Sequence, residues 1–139
     1  KRWLRYQAPL CLAIIDIDHF KSINDRFGHL AGDKALKVIA RAMSRTLRET
    51  DFIARYGGDE FVVLLPGVDA SNSLTPLEKL RNVVKSIPFR FKDDRVEITI
   101  SIGMTLFRNG DSAMEAFERA DQALYEAKND GRDRIVQHV

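Results

Sequence analysis

The first apolar block of the chain, Cys11 to Ile17, is interrupted only by Asp16 and is bounded by Pro9 on one side and Asp18 on the other. So uniform a run suits a strand buried on both faces rather than one with a wet side. From Asp33 to Leu47 the rhythm changes. Ala35, Leu36, Ile39, Ala42, Met43 and Leu47 recur at helical spacing and predict a helix with one apolar stripe. Phe52–Tyr56 and Phe61–Leu65 are short apolar arms separated by Gly57-Gly58-Asp59-Glu60, the pattern of a hairpin with an acidic turn. Thr75-Pro76-Leu77-Glu78 offers a hydroxyl cap, proline at the first helical position and glutamate two places on, which predicts a second helix ending before Pro88. Its stripe is Leu77, Leu80, Val83, Val84 and Ile87. Asp93-Asp94 predicts a turn, and Val96 to Phe107 a strand in which Gly103 marks a bulge or a close approach. Ser112 and Glu115 form a capping-box pattern ahead of Ala113, Ala116, Phe117, Ala120, Leu124 and Ala127, with Gly131 as the stop. Arg134 to Val139 predicts a final edge strand. Residues 1–9 read as the end of an upstream linker or helix, with Trp3, Leu4 and Tyr6 available for packing.

This alternation, without internal repeats, predicts an α/β (α+β) fold: a central, mainly antiparallel sheet flanked by helices. The hairpin argues against a nucleotide site built on a purely parallel sheet, and the chain has no glycine-rich phosphate loop with its lysine and hydroxyl. At 139 residues and 45% hydrophobic content there is material for one core. A formal charge of +2 gives no reason to expect nucleic acid as a partner, so any anion site must be local. The single cysteine, Cys11, lies in an apolar run and reads as a buried, reduced thiol, consistent with a cytoplasmic domain. No apolar run approaches the roughly 20 residues that cross a bilayer. Attachment of the full-length protein to a membrane would therefore need a flanking segment.

Asp16 and Asp18 are two residues apart, which on a regular strand sends both side chains to one face. Asp59 and Glu60 sit in the hairpin turn. Each pair has a plain explanation, as a strand stop and as a solvated turn. Together they form a hard-oxygen set suited to magnesium and phosphate chemistry, because carboxylates that converge repel unless a cation joins them. No histidine and cysteine cluster points to zinc. Metal-assisted phosphoryl or nucleotidyl transfer follows as a reading, with no base identified.

Asp16-Ile17-Asp18-His19-Phe20-Lys21-Ser22-Ile23-Asn24-Asp25, Gly28-His29-Leu30-Ala31-Gly32-Asp33 and Arg55-Tyr56-Gly57-Gly58-Asp59-Glu60-Phe61 appear in that order. Ser101-Ile102-Gly103, Asp121-Gln122-Ala123-Leu124-Tyr125 and Ala127-Lys128-Asn129-Asp130-Gly131-Arg132 follow. The set resembles the GGDEF family of diguanylate cyclases from about Leu10 to Val136, which would make residues 10–139 the catalytic domain. The resemblance implies a fold like nucleotidyl cyclase and polymerase palm domains. It also implies condensation of two GTP into 3′,5′-cyclic di-GMP with loss of two pyrophosphates. Asp16, Asp59 and Glu60 would be the catalytic residues; Asp16, Ile17, Asp59 and Glu60 the metal site for Mg2+, with Mn2+ as a substitute. Asn24 and Asp33 would bind guanine; read without the resemblance, they are a turn amide and a helix cap. His19, Phe20, Lys21, Lys128 and Arg132 would hold phosphate, where Lys128 and Arg132 alone read as charges around a helix C-terminus.

One such domain holds one GTP, so the resemblance implies a homodimer and control by an upstream regulatory domain. Arg48-Glu49-Thr50-Asp51 matches the family's inhibitory RxxD motif, with Arg48 and Asp51 as the product-binding pair. Two features depart from the family pattern. His19 replaces an aromatic or apolar residue, and no Leu-Thr-Gly and Asn-Arg-Arg segment precedes Leu10. The alternative function is a catalytically silent GTP or cyclic di-GMP binding module in signalling.

Overall fold

The computed structural model describes residues 8–139, so most of the segment read as an upstream helix end lies outside the described residues. In chain order the elements are β1 (Leu10–Ile17), α1 (Phe20–Phe27), α2 (His29–Thr46), β2 (Phe52–Tyr56), β3 (Glu60–Pro66), α3 (Ala70–Lys85), β4 (Phe89–Phe91), β5 (Asp94–Val96), β6 (Ile100–Leu106), α4 (Ala113–Asn129) and β7 (Ile135–Gln137). Five strands form one sheet in the order β2-β3-β1-β6-β7, antiparallel except for the β6–β7 pair. The α+β expectation holds.

β1 is central, and its unbroken apolar run follows from burial on both faces. Ala13, Ile15 and Ile17 join Phe61, Val63, Leu65, Ile100, Ile102 and Met104 beneath Ile39 and Met43 of α2 and Leu77, Leu80 and Val84 of α3. Leu12 and Ile14 face the opposite way and meet Ala116, Ala120 and Leu124 of α4. Gly103 is a close approach and not a bulge, since its register with Ile14 is regular. A methyl group there would sit 2.6 Å from the Leu124 Cα and still nearer Leu124 N and the Ala120 carbonyl.

Several boundaries differ from the sequence reading. α3 begins at Ala70, not at Thr75, because the Asp69 side chain accepts the Asn72 N–H at 3.0 Å and caps the helix earlier. Pro76 therefore lies inside the helix. α2 begins at His29 after Gly28, which places Asp33 within the helix rather than at its cap. α1 was not predicted, although Phe20, Ile23 and Phe27 mark its packed side; Asn24 is thus a helical residue and not a turn amide. The strand expected from Val96 to Phe107 is divided: β5 pairs with β4 in a separate ribbon turned by Lys92 and Asp93 at φ 49° and 70°, and β6 starts only at Ile100.

The capping box of α4 is present in both directions, with Ser112 Oγ accepting from Glu115 N at 3.1 Å and Glu115 Oε1 accepting from Ser112 N at 2.8 Å. Ser112→Ala is expected to cost about 1 kcal/mol in chemical denaturation. A change near zero would show that the box adds nothing to α4.

Candidate active site

The acidic residues meet at one end of the sheet. Asp16 is the last but one residue of β1 and lies in register with Glu60 on β3 and with Ser101 on β6. The turn between β2 and β3 brings Asp59 to the same end, and its carbonyl accepts the Ile17 N–H at 3.1 Å. That turn is held by the Arg55 guanidinium, which donates to the Gly58 carbonyl from Nη2 at 2.8 Å and Nε at 3.1 Å. Gly57 supplies the positive φ of 69°.

Burial, followed by the hydrogen bond and the charge of Asp16, pushes the Asp59 carboxyl up to about 6. Glu60 is also raised, first by burial and then by Asp16, with Asp121 adding to the effect and Lys128 opposing it. Tyr56 is pushed up to about 12 by burial and by the charges of Glu60, Asp121 and Asp16. Negative potential is therefore concentrated here. Asp121 on α4 belongs to that acidic group, a contribution visible in sequence only as part of a motif.

Lys128, at the last turn of α4, forms an ion pair with Asp16 Oδ2. The other carboxylate oxygen, Asp16 Oδ1, is buried without a hydrogen-bond partner. Among the described residues no group of three or more His, Cys, Asp or Glu side chains converges as a metal cage. The Asp16 and Asp59 carboxylates nonetheless suit a hard divalent cation of the kind that takes one or two protein carboxylates and fills its shell with phosphate oxygens and water. The unpartnered Asp16 oxygen and the raised Asp59 carboxyl both fit such a cation.

A cleft of about 270 Å³ opens beside these acids. Its wall combines Asp16, Ile17 and Asp59 with His19, Phe20, Lys21, Lys128 and Arg132, so the phosphate-binding residues expected from the sequence do come together. Phe20 enters differently from the others: its ring is buried in the core, which leaves only its main chain for the cleft as the first residue of α1. His19 precedes it in the left-handed region at φ 57° and makes no side-chain cap. Lys128 is engaged with a carboxylate rather than standing as a solvated helix-end charge.

Asn24 and Asp33 lie apart from that cleft wall. Asn24 packs on Gly32, where an added Cβ would come 2.9 Å from its Cγ, and its Oδ1 is buried without a partner. Asp33 lines a separate hollow with Leu36, Lys37, Ala40 and Arg55. The Arg48–Asp51 pair is a tight local unit: Arg48 Nη2 donates to Asp51 Oδ1 at 2.7 Å and to the Pro66 carbonyl at 2.9 Å, and the Arg48 N–H donates to Asp51 Oδ2 at 2.8 Å. The Asp51 side chain is 2% exposed against 55% for Arg48, so Arg48 is the half of the motif that faces outward.

Asp18 borders the same cleft as Asp16, but protein donors take up its carboxylate. It is 5% exposed, and its oxygens accept from Ser101 Oγ at 2.6 Å, Thr99 Oγ1 at 2.7 Å and the Asp133 N–H at 3.0 Å. Past the strand end the chain no longer keeps the two-residue alternation, and these donors occupy the carboxylate.

Fold and site define a class: α+β domains whose sheet end opens a cleft in which acidic side chains stand beside Lys21, Lys128 and Arg132. The family model described as diguanylate cyclase, GGDEF domain, matches residues 1–134, and the chain belongs to that family. It is 55% identical over 128 residues to diguanylate cyclase DgcP of Pseudomonas aeruginosa, covering 92% of this chain and 19% of that protein. Diguanylate cyclase A of Treponema denticola is 41% identical over 131 residues, 94% of this chain and 35% of that one. The chain thus spans between a fifth and about a third of these curated relatives' length. The crystal structure of the GGDEF domain of DgcB from Caulobacter crescentus in complex with c-di-GMP superposes with a TM-score of 0.90 at 38% identity, covering 96% of this chain and 80% of that one. No helix among the described residues is long and apolar enough to cross a membrane.

Proposed function

We propose that this domain is a diguanylate cyclase that condenses two GTP into 3′,5′-cyclic di-GMP and releases two pyrophosphates. The observation that carries this reading is the single cleft in which the Asp16 and Asp59 carboxylates face Lys21, Lys128 and Arg132. Lys21, Lys128 and Arg132 would bind and orient the triphosphate, the arginine with its fork of donors and the lysines as mobile point charges. Asp16, Asp59 and the Ile17 carbonyl, assisted by Glu60, would hold Mg2+ or Mn2+. A divalent cation bound there supplies charge neutralisation for the transferring phosphate and for the attacking 3′ oxygen. Glu60, made more basic by burial and by its acidic neighbours, would take the proton of that hydroxyl. Asn24 and Asp33 would select guanine, and His19 and the Phe20 main chain would border the phosphates.

Each domain presents one such half-site, so two copies must face each other as a homodimer. A regulatory segment elsewhere in the full protein would govern how they meet. Cyclic di-GMP would in turn inhibit by binding the outward-facing Arg48, which Asp51 holds in place. Arg48→Ala is expected to raise the product concentration needed for half-inhibition about tenfold, with uninhibited turnover retained. Unchanged inhibition would remove this site from the account.

The functional test is incubation with GTP and Mg2+ followed by separation of nucleotide products. Cyclic di-GMP is the expected product. GTP that binds but returns unaltered, even at high protein concentration, would favour a silent binding module instead.

A further inference from the structure

Arg132 and Asp133 both lie in the left-handed region that non-glycine residues seldom adopt, with φ 62° and 48°. Two adjacent left-handed residues of this kind are strained by about 1–3 kcal/mol each and persist only where the surroundings hold them. The surroundings here do so from two sides. The Asp133 carboxylate accepts from Arg81 Nη1 at 2.6 Å and Lys85 Nζ at 2.8 Å, both on α3. On the other side the Asp133 N–H donates to Asp18, the same carboxylate that gathers Thr99 and Ser101. Asp18 thus joins the end of β1, the start of β6 and the turn after α4. Arg132, one residue from this junction, forms part of the cleft wall, and Asp18 itself borders the cleft.

The geometry points to Asp18 as a positioning residue: buried and unavailable to a cation, it holds the strained Arg132-Asp133 turn so that the Arg132 guanidinium addresses the polyphosphate of the nucleotide. This rests on the reading of the cleft as a GTP site. The Asp133 N–H can only donate, whereas the Thr99 and Ser101 hydroxyls can turn to accept, so an amide in place of the carboxylate keeps hydrogen bonds but loses the charge that strengthens all three and forces at least one hydroxyl to reverse its role. The effect should reach the cleft through Arg132 and leave the base-binding residues on α1 and α2 untouched.

The test is a double-mutant cycle on the 139-residue chain, titrated with 3′-deoxy-GTP, which lacks the attacking hydroxyl, and with guanosine. Asp18→Asn and Arg132→Ala should each weaken 3′-deoxy-GTP binding about tenfold, and the double variant by about tenfold rather than about a hundredfold. Guanosine affinity should stay at the parent value in all three. Asp133→Asn, which tolerates the left-handed backbone but gives up the carboxylate, should shift triphosphate binding in the same direction. Multiplying effects of Asp18→Asn and Arg132→Ala, parallel loss of guanosine binding, or parental triphosphate affinity in Asp18→Asn would each overturn the proposal. If the parent binds neither compound, it is the GTP reading that falls. The clasp is then judged by exchange of the Asp133 amide, which Asp18→Asn should accelerate at least tenfold; unchanged exchange would reject it.

Discussion

Asp59→Asn is expected to lower cyclic di-GMP formation by at least about a hundredfold while leaving the domain as stable as the parent or slightly more so. The activity loss follows from its place among the proposed cation ligands, where even residues one step removed from a metal typically change affinity or activity by 10–100-fold. The stability effect has the opposite sign because Asp59 is held against Asp16 in a partly buried site that raises its carboxyl to about 6. Its folded-state pKa lies above the ordinary carboxylate value, so between about 4 and 6 the folded form binds more protons than the unfolded one. Its contribution to stability therefore declines as pH rises through this window, and above it the charged pair opposes folding. Removing the charge should relieve this by about 1 kcal/mol after solvent screening, a few degrees in the melting temperature without cation. The same protonation competes with the cation, so Mg2+ affinity should drop toward tenfold per pH unit below about 6. Full activity in Asp59→Asn, or severe destabilisation with no cation present, would refute the proposed role.

Gly103→Ala should be the most damaging small substitution in the sheet, costing about 3 kcal/mol or more and lowering the melting temperature by roughly 10 °C. Most overpacked sites relax by rotating a side chain. Here the obstacles are the main-chain atoms of Ala120 and Leu124, so α4 itself must move away from β6. The movement would carry Lys128, the partner of Asp16, with it. Turnover should therefore fall by more than the unfolded fraction explains. Thermal and denaturant unfolding measure the first effect, and activity normalised to folded protein the second. A loss below about 1 kcal/mol would mean that the helix does not rest on the sheet at this point.

Both predictions depend on features differently visible in the sequence. The β1 strand, the acidic hairpin and the capping box of α4 were legible because period, turn chemistry and cap residues agree at each. α1 is hard to see in the sequence because its Phe20–Phe27 stripe is short and lies within a stretch that reads as a motif. α3 starts earlier than its sequence suggests: the Thr-Pro-Leu-Glu pattern resembles a helix start, but the Asp69 cap and the burial of Ser73 extend the helix back through it. At the site, the ordered motifs point to the acids and cations of the cleft, and the two-residue spacing rightly brings Asp18 to the same cleft as Asp16 but cannot show that its carboxylate is already occupied. Only the long-range donors Thr99, Ser101 and Asp133 reveal where that carboxylate is spent. The strained Arg132-Asp133 turn was likewise hidden, since Gly131 alone announces a helix stop.

The central claim is that one copy of this domain equips one half of a symmetric condensation. The most direct test measures the initial rate of cyclic di-GMP formation from GTP and Mg2+ across about a hundredfold range of protein concentration. Specific activity should rise with concentration and level off once pairing saturates, and two copies joined by a flexible linker should bring that plateau to much lower concentrations. A specific activity constant across the whole range would contradict the half-site account, and so would an inactive linked pair.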